Sequence, residues 1–314
     1  MPRARAAASL RGPLLLAALL LPACGSGAAP LVVGRPGLGP GEFDAPRGLA
    51  AAGGRVAVLD RTGRLQRFTA DGVLERAHRV MPEEVRRGFP LGLVLDPDGS
   101  SLVVHTHDAA LVRYDPSGRE TLRFGSAGVG DGGFTMPQRA CTAGGEVFVS
   151  DFGYEDAHRV LVFTPEGRYL RRIGGPGTGA AFRRPMGVAV DGEGVLWVAD
   201  ASHRLFRFEA ASGKPLGTVG REGGGPGELR WPTGIALLPG GGVAVCEAGN
   251  HRLQRFDAAG RPRGTFGRNG GAPGEFREPY DLAADPPWLF VADTGNHRVQ
   301  RLRIDAVPWE EGNP

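Results

Sequence analysis

The stretch Pro185 to Val219, PMGVAVDGEGVLWVADASHRLFRFEAASGKPLGTV, holds four short apolar runs parted by turn residues. Pro185 to Val190 is the first run, and Asp191-Gly192-Glu193-Gly194 is the turn that ends it. Val195 to Asp200, His203 to Phe208 and Pro215 to Val219 are the other three. Short β-branched and aromatic runs between Gly turns pair as antiparallel strands, so this stretch predicts one four-stranded sheet.

A single sheet of this kind leaves an apolar face uncovered, and the rest of the chain supplies the cover. Pro46, Pro90, Pro137, Pro185, Pro232 and Pro279 each open an equivalent segment, at spacings of 44, 47, 48, 47 and 47 residues. Sheets repeating at such a period bury their faces against one another around an axis. The expected fold is therefore all-β: a six-bladed β-propeller of four-stranded antiparallel blades. The unit after Pro279 runs short of a fourth strand, since its place near the C-terminus holds WEEGNP. Val33-Gly34 precedes Pro46 as Phe266-Gly267 precedes Pro279, which predicts that Leu31 to Val33 closes the last blade and removes its free edge.

Composition agrees with a folded ring. Gly and Pro number 52 and 26 of 314 residues, a proportion near that of disordered chains, but 41% of residues are hydrophobic and the glycines are periodic. No apolar run reaches the 18 residues of a membrane helix. Met1 to Arg11 is basic, Pro13 to Leu21 reads PLLLAALLL, and Pro22-Ala23-Cys24 follows, the three regions of a secretory signal. Leu21 to Cys24 resembles a bacterial lipobox, which implies cleavage before Cys24, a lipid on that residue, and export to the outer side of a bacterial membrane. The other reading is an ordinary secreted protein cut nearby. The expected organisation is a signal peptide at 1–23, lipidated Cys24 and linker at 24–30, propeller at 31–305 and tail at 306–314. Without the leader's Arg3, Arg5 and Arg11, 34 basic residues face 34 acidic ones, which argues against nucleic acid as partner. Cys141 and Cys246 fall on different strand types, two repeats apart, and are expected as separate buried thiols.

The segments Pro232 to Phe256, containing VCEAGNHRLQRF, and Pro279 to Arg298, leading into VADTGNHRVQR, resemble NHL repeats, as do the linkers GREGGGPGEL from Gly220 and GRNGGAPGEF from Gly267. The resemblance extends over residues 31 to 305. It implies the propeller and leaves the activity open, because NHL propellers serve as enzymes, RNA binders, scaffolds and sensors.

Recurrent and unique polar residues carry different messages. Asp60, Asp151, Asp200, Glu247 and Asp293 each end a second strand, and Arg64, Arg159, Arg204, Arg252 and Arg298 each begin the next. Recurrence in nearly every blade marks these pairs as structural, joined across a turn by charge-assisted bonds, and the same applies to His158, His203, His251 and His297. Blade 2 has Thr106 in place of the acid, flanked by His105 and His107, an H-x-H that would point both rings to one face of a strand. Two histidines lack a third ligand, and the channel histidines with which NHL-type peptidylhydroxyglycine lyases hold zinc have no residue-by-residue match, so no metal, other cofactor or catalytic residue is assigned. Directly around the repeat prolines the residues vary: Arg47 and Tyr280 after it, Arg184 and Trp231 before it, and Arg139 and Asp281 where Gly is usual. Arg47, Arg139, Arg184, Trp231, Tyr280 and Asp281 are expected at one mouth of the axial channel, as anchors for a protein, peptide or small anionic ligand, unless they are simply a solvated rim. Two insertions, Phe152 to Ala157 and a short helix at Pro82 to Arg87, are expected near that surface. The leading expectation is a monomeric, lipid-anchored binding scaffold rather than an enzyme. The alternative is a metal-dependent lyase or hydrolase that uses the axial channel.

Overall fold

The computed structural model describes residues 29–81, 89–153, 158–175, 178 and 180–311. Within them the chain forms six four-stranded antiparallel sheets, each sheet one blade of the expected propeller. Blade 4 is representative, with strands Pro185–Val190, Val195–Asp200, Arg204–Glu209 and Pro215–Val219 paired in sequence order. Its third strand starts one residue later than expected, because His203 takes a left-handed backbone with φ of 64° in the turn.

The first strands of the blades pack side by side around the axis: Pro46–Ala52, Gly92–Leu95, Pro137–Ala143, Pro185–Val190, Pro232–Leu237 and Pro279–Asp285. Second strands are the most buried, as in Val243–Glu247, where both faces meet a neighbouring blade. Apolar clusters accordingly lie between blades. One joins Phe148 and Val162 of blade 3 to Val188, Leu196 and Phe208 of blade 4.

The ring closes as the sequence predicts. Leu31–Val33 pairs antiparallel with Arg298–Arg303, and Val33 and Phe43 pack between blades 6 and 1. The described C-terminal residues form no fourth strand of blade 6, yet they are not idle. Glu310 exchanges backbone hydrogen bonds with Thr265 on the outer edge of blade 5, at 2.8 and 3.1 Å, and Trp309 packs on Phe266.

The recurrent acids and arginines clamp the linkers. Glu247, fully buried, takes Arg252 Nε at 2.7 Å, and Arg252 goes on to donate to the carbonyls of Gly224, Gly225 and Glu228 in the linker before its own blade. Gln254 adds a second tie, donating to the Glu228 carbonyl and accepting from Gly227 N. Arg64 with Asp60, Arg159 with Asp151 and Arg298 with Asp293 repeat the ion pair. Blade 4 departs from the expected pairing: Arg204 is exposed, and among the described residues no ion pair joins it to Asp200, whose carboxylate instead accepts the amides of Arg183, Arg184 and Ser202. Burial pushes the carboxyls of Asp151 and Glu247 upward, against the pull of their arginines. The turn histidines are tied just as locally. Nδ1 of His203, His251 and His297 accepts the amide of Trp231, Glu278 and Ala45, the residue before the next blade's proline.

The two thiols are separate, as expected. Cys246 is fully buried, whereas Cys141 is only half-buried, in the channel wall, with its thiol pushed up to about 12 by burial. Cys24 and the leader, the segment Pro82 to Arg87, and residues 154–157 of the other insertion lie outside the described residues.

Candidate functional site

The innermost strands begin with a residue pattern dictated by crowding. The second residue after each repeat proline points to the axis, where a side chain meets the neighbouring first strand. A Cβ on Gly187 would lie 2.5 Å from the Thr233 carbonyl, and one on Gly48 or Gly92 within 2.9 Å of the next strand's carbonyl. Four of the six positions are therefore Gly. The other two, Arg139 and Asp281, sit on blades 3 and 6, three blades apart and so facing each other across the ring.

There they meet. Arg139 Nε lies 3.4 Å from Asp281 Oδ2, with both side chains almost wholly buried. Arg139 also donates to the carbonyls of Leu91, Arg47 at 2.7 Å and Tyr280 at 3.4 Å. One side chain thus ties blade 3 to blades 1, 2 and 6. Asp281 accepts from Leu49 N at 2.9 Å and Leu282 N at 3.1 Å. Its burial dominates, pushing the carboxyl up to about 6 despite Arg139 and the two amides.

This arrangement changes the expected roles of two residues. Arg139 and Asp281, expected at the mouth with the other four, instead meet as a partition across the channel, because position two after the proline faces the axis rather than the rim. On one side lies a cavity of about 250 Å3, lined by Ala, Val and Leu of the six first strands and by Cys141. On the other side lies the mouth. Arg47 and Tyr280 are half-buried there, the Arg47 guanidinium 5.4 Å and the Arg139 guanidinium 5.2 Å from the Tyr280 ring centroid. Arg184, also half-buried, stacks 5.0 Å from the Phe152 ring. Trp231 stands 57% exposed with a left-handed φ of 52°.

The H-x-H of blade 2 does not form a paired site. The strand ends at His105, which is buried, while His107 lies exposed in the following turn. His105 Nε2 is 3.2 Å from the Tyr114 hydroxyl and Nδ1 3.5 Å from Asp108, and burial holds its pKa below the usual value. Among the described residues no three His, Cys, Asp or Glu side chains converge as metal ligands.

Sequence reasoning missed the Gln of the linker clamp and the partition itself. The recurring R-x-Q of RLQRF and RVQR was the available signal for the first. The second shows only as two non-Gly residues at a Gly position.

Comparison with known proteins agrees with this architecture. The model of the NHL repeat matches residues 229–256. NHL repeat-containing protein 2 of Gallus gallus is 33% identical over a segment covering 27% of this chain and 14% of that protein, so the chain spans only a small part of the curated relative. Among solved structures, a virginiamycin B lyase from Staphylococcus aureus superposes with a TM-score of 0.58 at 13% identity, covering 83% of this chain and 95% of the other. A streptogramin B lyase gives 0.62 at 11% identity, covering 89% and 99%. A putative gluconolactonase gives 0.58 at 16%, covering 87% and 91%. Identities this low establish the shared fold alone. The class is thereby defined: an all-β, six-bladed propeller, in which residues 229–256 match the NHL repeat.

Proposed function

We propose that this protein is exported, held to a membrane by a lipid on Cys24, and serves as a rigid binding propeller whose mouth receives a protein, a peptide or a small anion. The observation that carries the reading is the mouth itself. It is where the six repeats diverge, and the Arg139–Asp281 pair bridges blades 3 and 6 across the axis beneath it. Arg47, Arg184, Tyr280 and Trp231 supply two cations and two aromatic faces around that mouth, the residue types that anchor ligands. Linker residues 25–30 reach about 20 Å at full extension, which would keep the ring close to the bilayer.

Two measurements test the two halves of this proposal. Fractionation and intact mass of the wild type and of Cys24→Ser should show a lipid-sized mass gain and membrane retention only in the former; an unmodified Cys24 refutes the anchor. Crosslinking from a photoreactive residue placed at Trp231 should capture a ligand or partner in the native envelope more strongly than the same residue placed at Leu216 on an outer strand. Equal capture at the two positions refutes the mouth.

A further inference from the structure

The mouth arginines differ from the other arginines of the protein. Those in the clamps and blades spend their donors on carboxylates and carbonyls, as Arg64, Arg159, Arg252 and Arg298 do. The described arginines whose guanidinium makes no hydrogen bond, such as Arg204 and Arg230, stand exposed in water, with two exceptions. Arg47 and Arg184 are half-buried, and the guanidinium of neither donates a hydrogen bond to a described residue. Nε of each is shut off from solvent without a partner. Arg139, Arg171, Arg207 and Arg301 bury Nε in the same way but donate through their terminal nitrogens, whereas those of Arg47 and Arg184 stay open and unpaired, free to meet an acceptor.

Both side chains are nevertheless held in place. Arg47 lies against Tyr280 and Arg184 against Phe152, stacked guanidiniums whose planar forks suit bidentate oxyanions. Among the described residues neither fork forms an ion pair: Asp281 is engaged by Arg139, and buried Asp200, which accepts the Arg184 amide at 2.9 Å, makes no salt bridge to its guanidinium. The two forks stand on blades 1 and 4, opposite sides of the ring, each with its own aromatic support. Each fork is thus held by its own aromatic, on blade 6 for Arg47 and blade 3 for Arg184, as a separate receiving position for an anionic group.

Building on the binding mouth proposed above, we infer that its ligand carries two separated oxyanion groups, one received by Arg47 and the other by Arg184. The groups are carboxylates, as in an acidic peptide, or phosphates, as in a polyphosphate chain; the forks recognise the chemistry the two share.

Isothermal titration of the purified protein tests this with tetraglutamate and inorganic tripolyphosphate as two-group probes, and inorganic phosphate and butyrate as single-anion controls. At least one two-group probe should bind at least tenfold tighter than the single anions, and which one it is identifies the source. Arg47→Gln and Arg184→Gln should each lower that probe to the level of the single anions while melting within a few degrees of the wild type. Arg47→Lys, which keeps the charge and loses the fork, should lose most of the affinity. Equal binding of phosphate and the two-group probes, or lysine variants as good as wild type, overturns the inference. Arginine variants without effect, together with Trp231-dependent capture of a neutral peptide, overturn it while leaving the binding mouth intact. Capture that no mouth substitution alters overturns both.

Discussion

Replacing Arg139 by Met removes one side chain and tests how the ring is held at its centre. The loss leaves Asp281 buried and unpaired, and the carbonyls of Leu91, Arg47 and Tyr280 without their donor. Breaking a buried ion pair from one side costs about 3–5 kcal/mol. For a domain of this size that lowers the melting temperature by roughly 10 °C. The loss should also depend on pH, and its sign is fixed by Asp281. In the wild type its folded pKa, pushed up to about 6, exceeds the unfolded value. The folded state therefore binds the proton more readily, and the favourable contribution present below about pH 4 is lost as pH rises through about 6. Without Arg139 the folded pKa climbs further, so the window widens upward. Thermal melts followed by circular dichroism at pH 7.5 and pH 4.5 should show a large loss at the first and a smaller one at the second. The double variant with Asp281→Asn should recover part of the neutral-pH loss and flatten the difference between the two pH values. A loss under about 1 kcal/mol, or one of equal size at both pH values, would falsify the view that the pair is a buried electrostatic tie.

Other substitutions separate clamp, crowding and edge effects. Arg252→Ala, which strands the buried Glu247 and three linker carbonyls, should cost about 3–5 kcal/mol in urea melts, whereas exposed Arg204→Ala should stay within about 0.5 kcal/mol. Similar losses for the two would refute the distinction between blade 5 and blade 4. Gly187→Ala places a Cβ 2.5 Å from the Thr233 carbonyl and should cost about 1–3 kcal/mol by the same measurement. Trp309→Ala strips the tail's packing from Phe266 and Arg255, and amide exchange at Thr265 should speed up while blade 3 is unaffected. Cys141, with its thiol pushed up to about 12, should resist iodoacetamide at pH 8 until the protein is unfolded; prompt alkylation would contradict a thiol held protonated in the channel wall.

What the sequence discloses follows from what repeats. Four strands of one blade, the proline period and the closing role of Leu31 to Val33 are local patterns copied around the ring, and each copy corroborates the others. The clamp acids and arginines were visible for the same reason. Blade 4 shows the limit of that logic: Asp200 and Arg204 keep the pattern, yet the acid is satisfied by backbone amides and the arginine turns to water. Repetition specifies which residue types a turn accepts, not which bonds a given turn makes.

The site obeys the opposite rule, because it consists of departures from the repeat. Arg139 and Asp281 are far apart in the chain, and a sequence pattern shows each only as a Gly that is missing. Their pairing rests on geometry: blades three apart in a ring of six face each other, and the axial position has room for two side chains because the other four are Gly. A single non-Gly residue there would be a buried charge without a partner, or a clash. Two of opposite sign on opposing blades satisfy both constraints and meet across the axis. Once they have paired, Arg47 and Arg184 lose the option of reaching inward to Asp281, which Arg139 already occupies. The mouth is left with two stacked guanidiniums that pair with no carboxylate among the described residues, so the tie that holds the ring together also leaves both forks available above it.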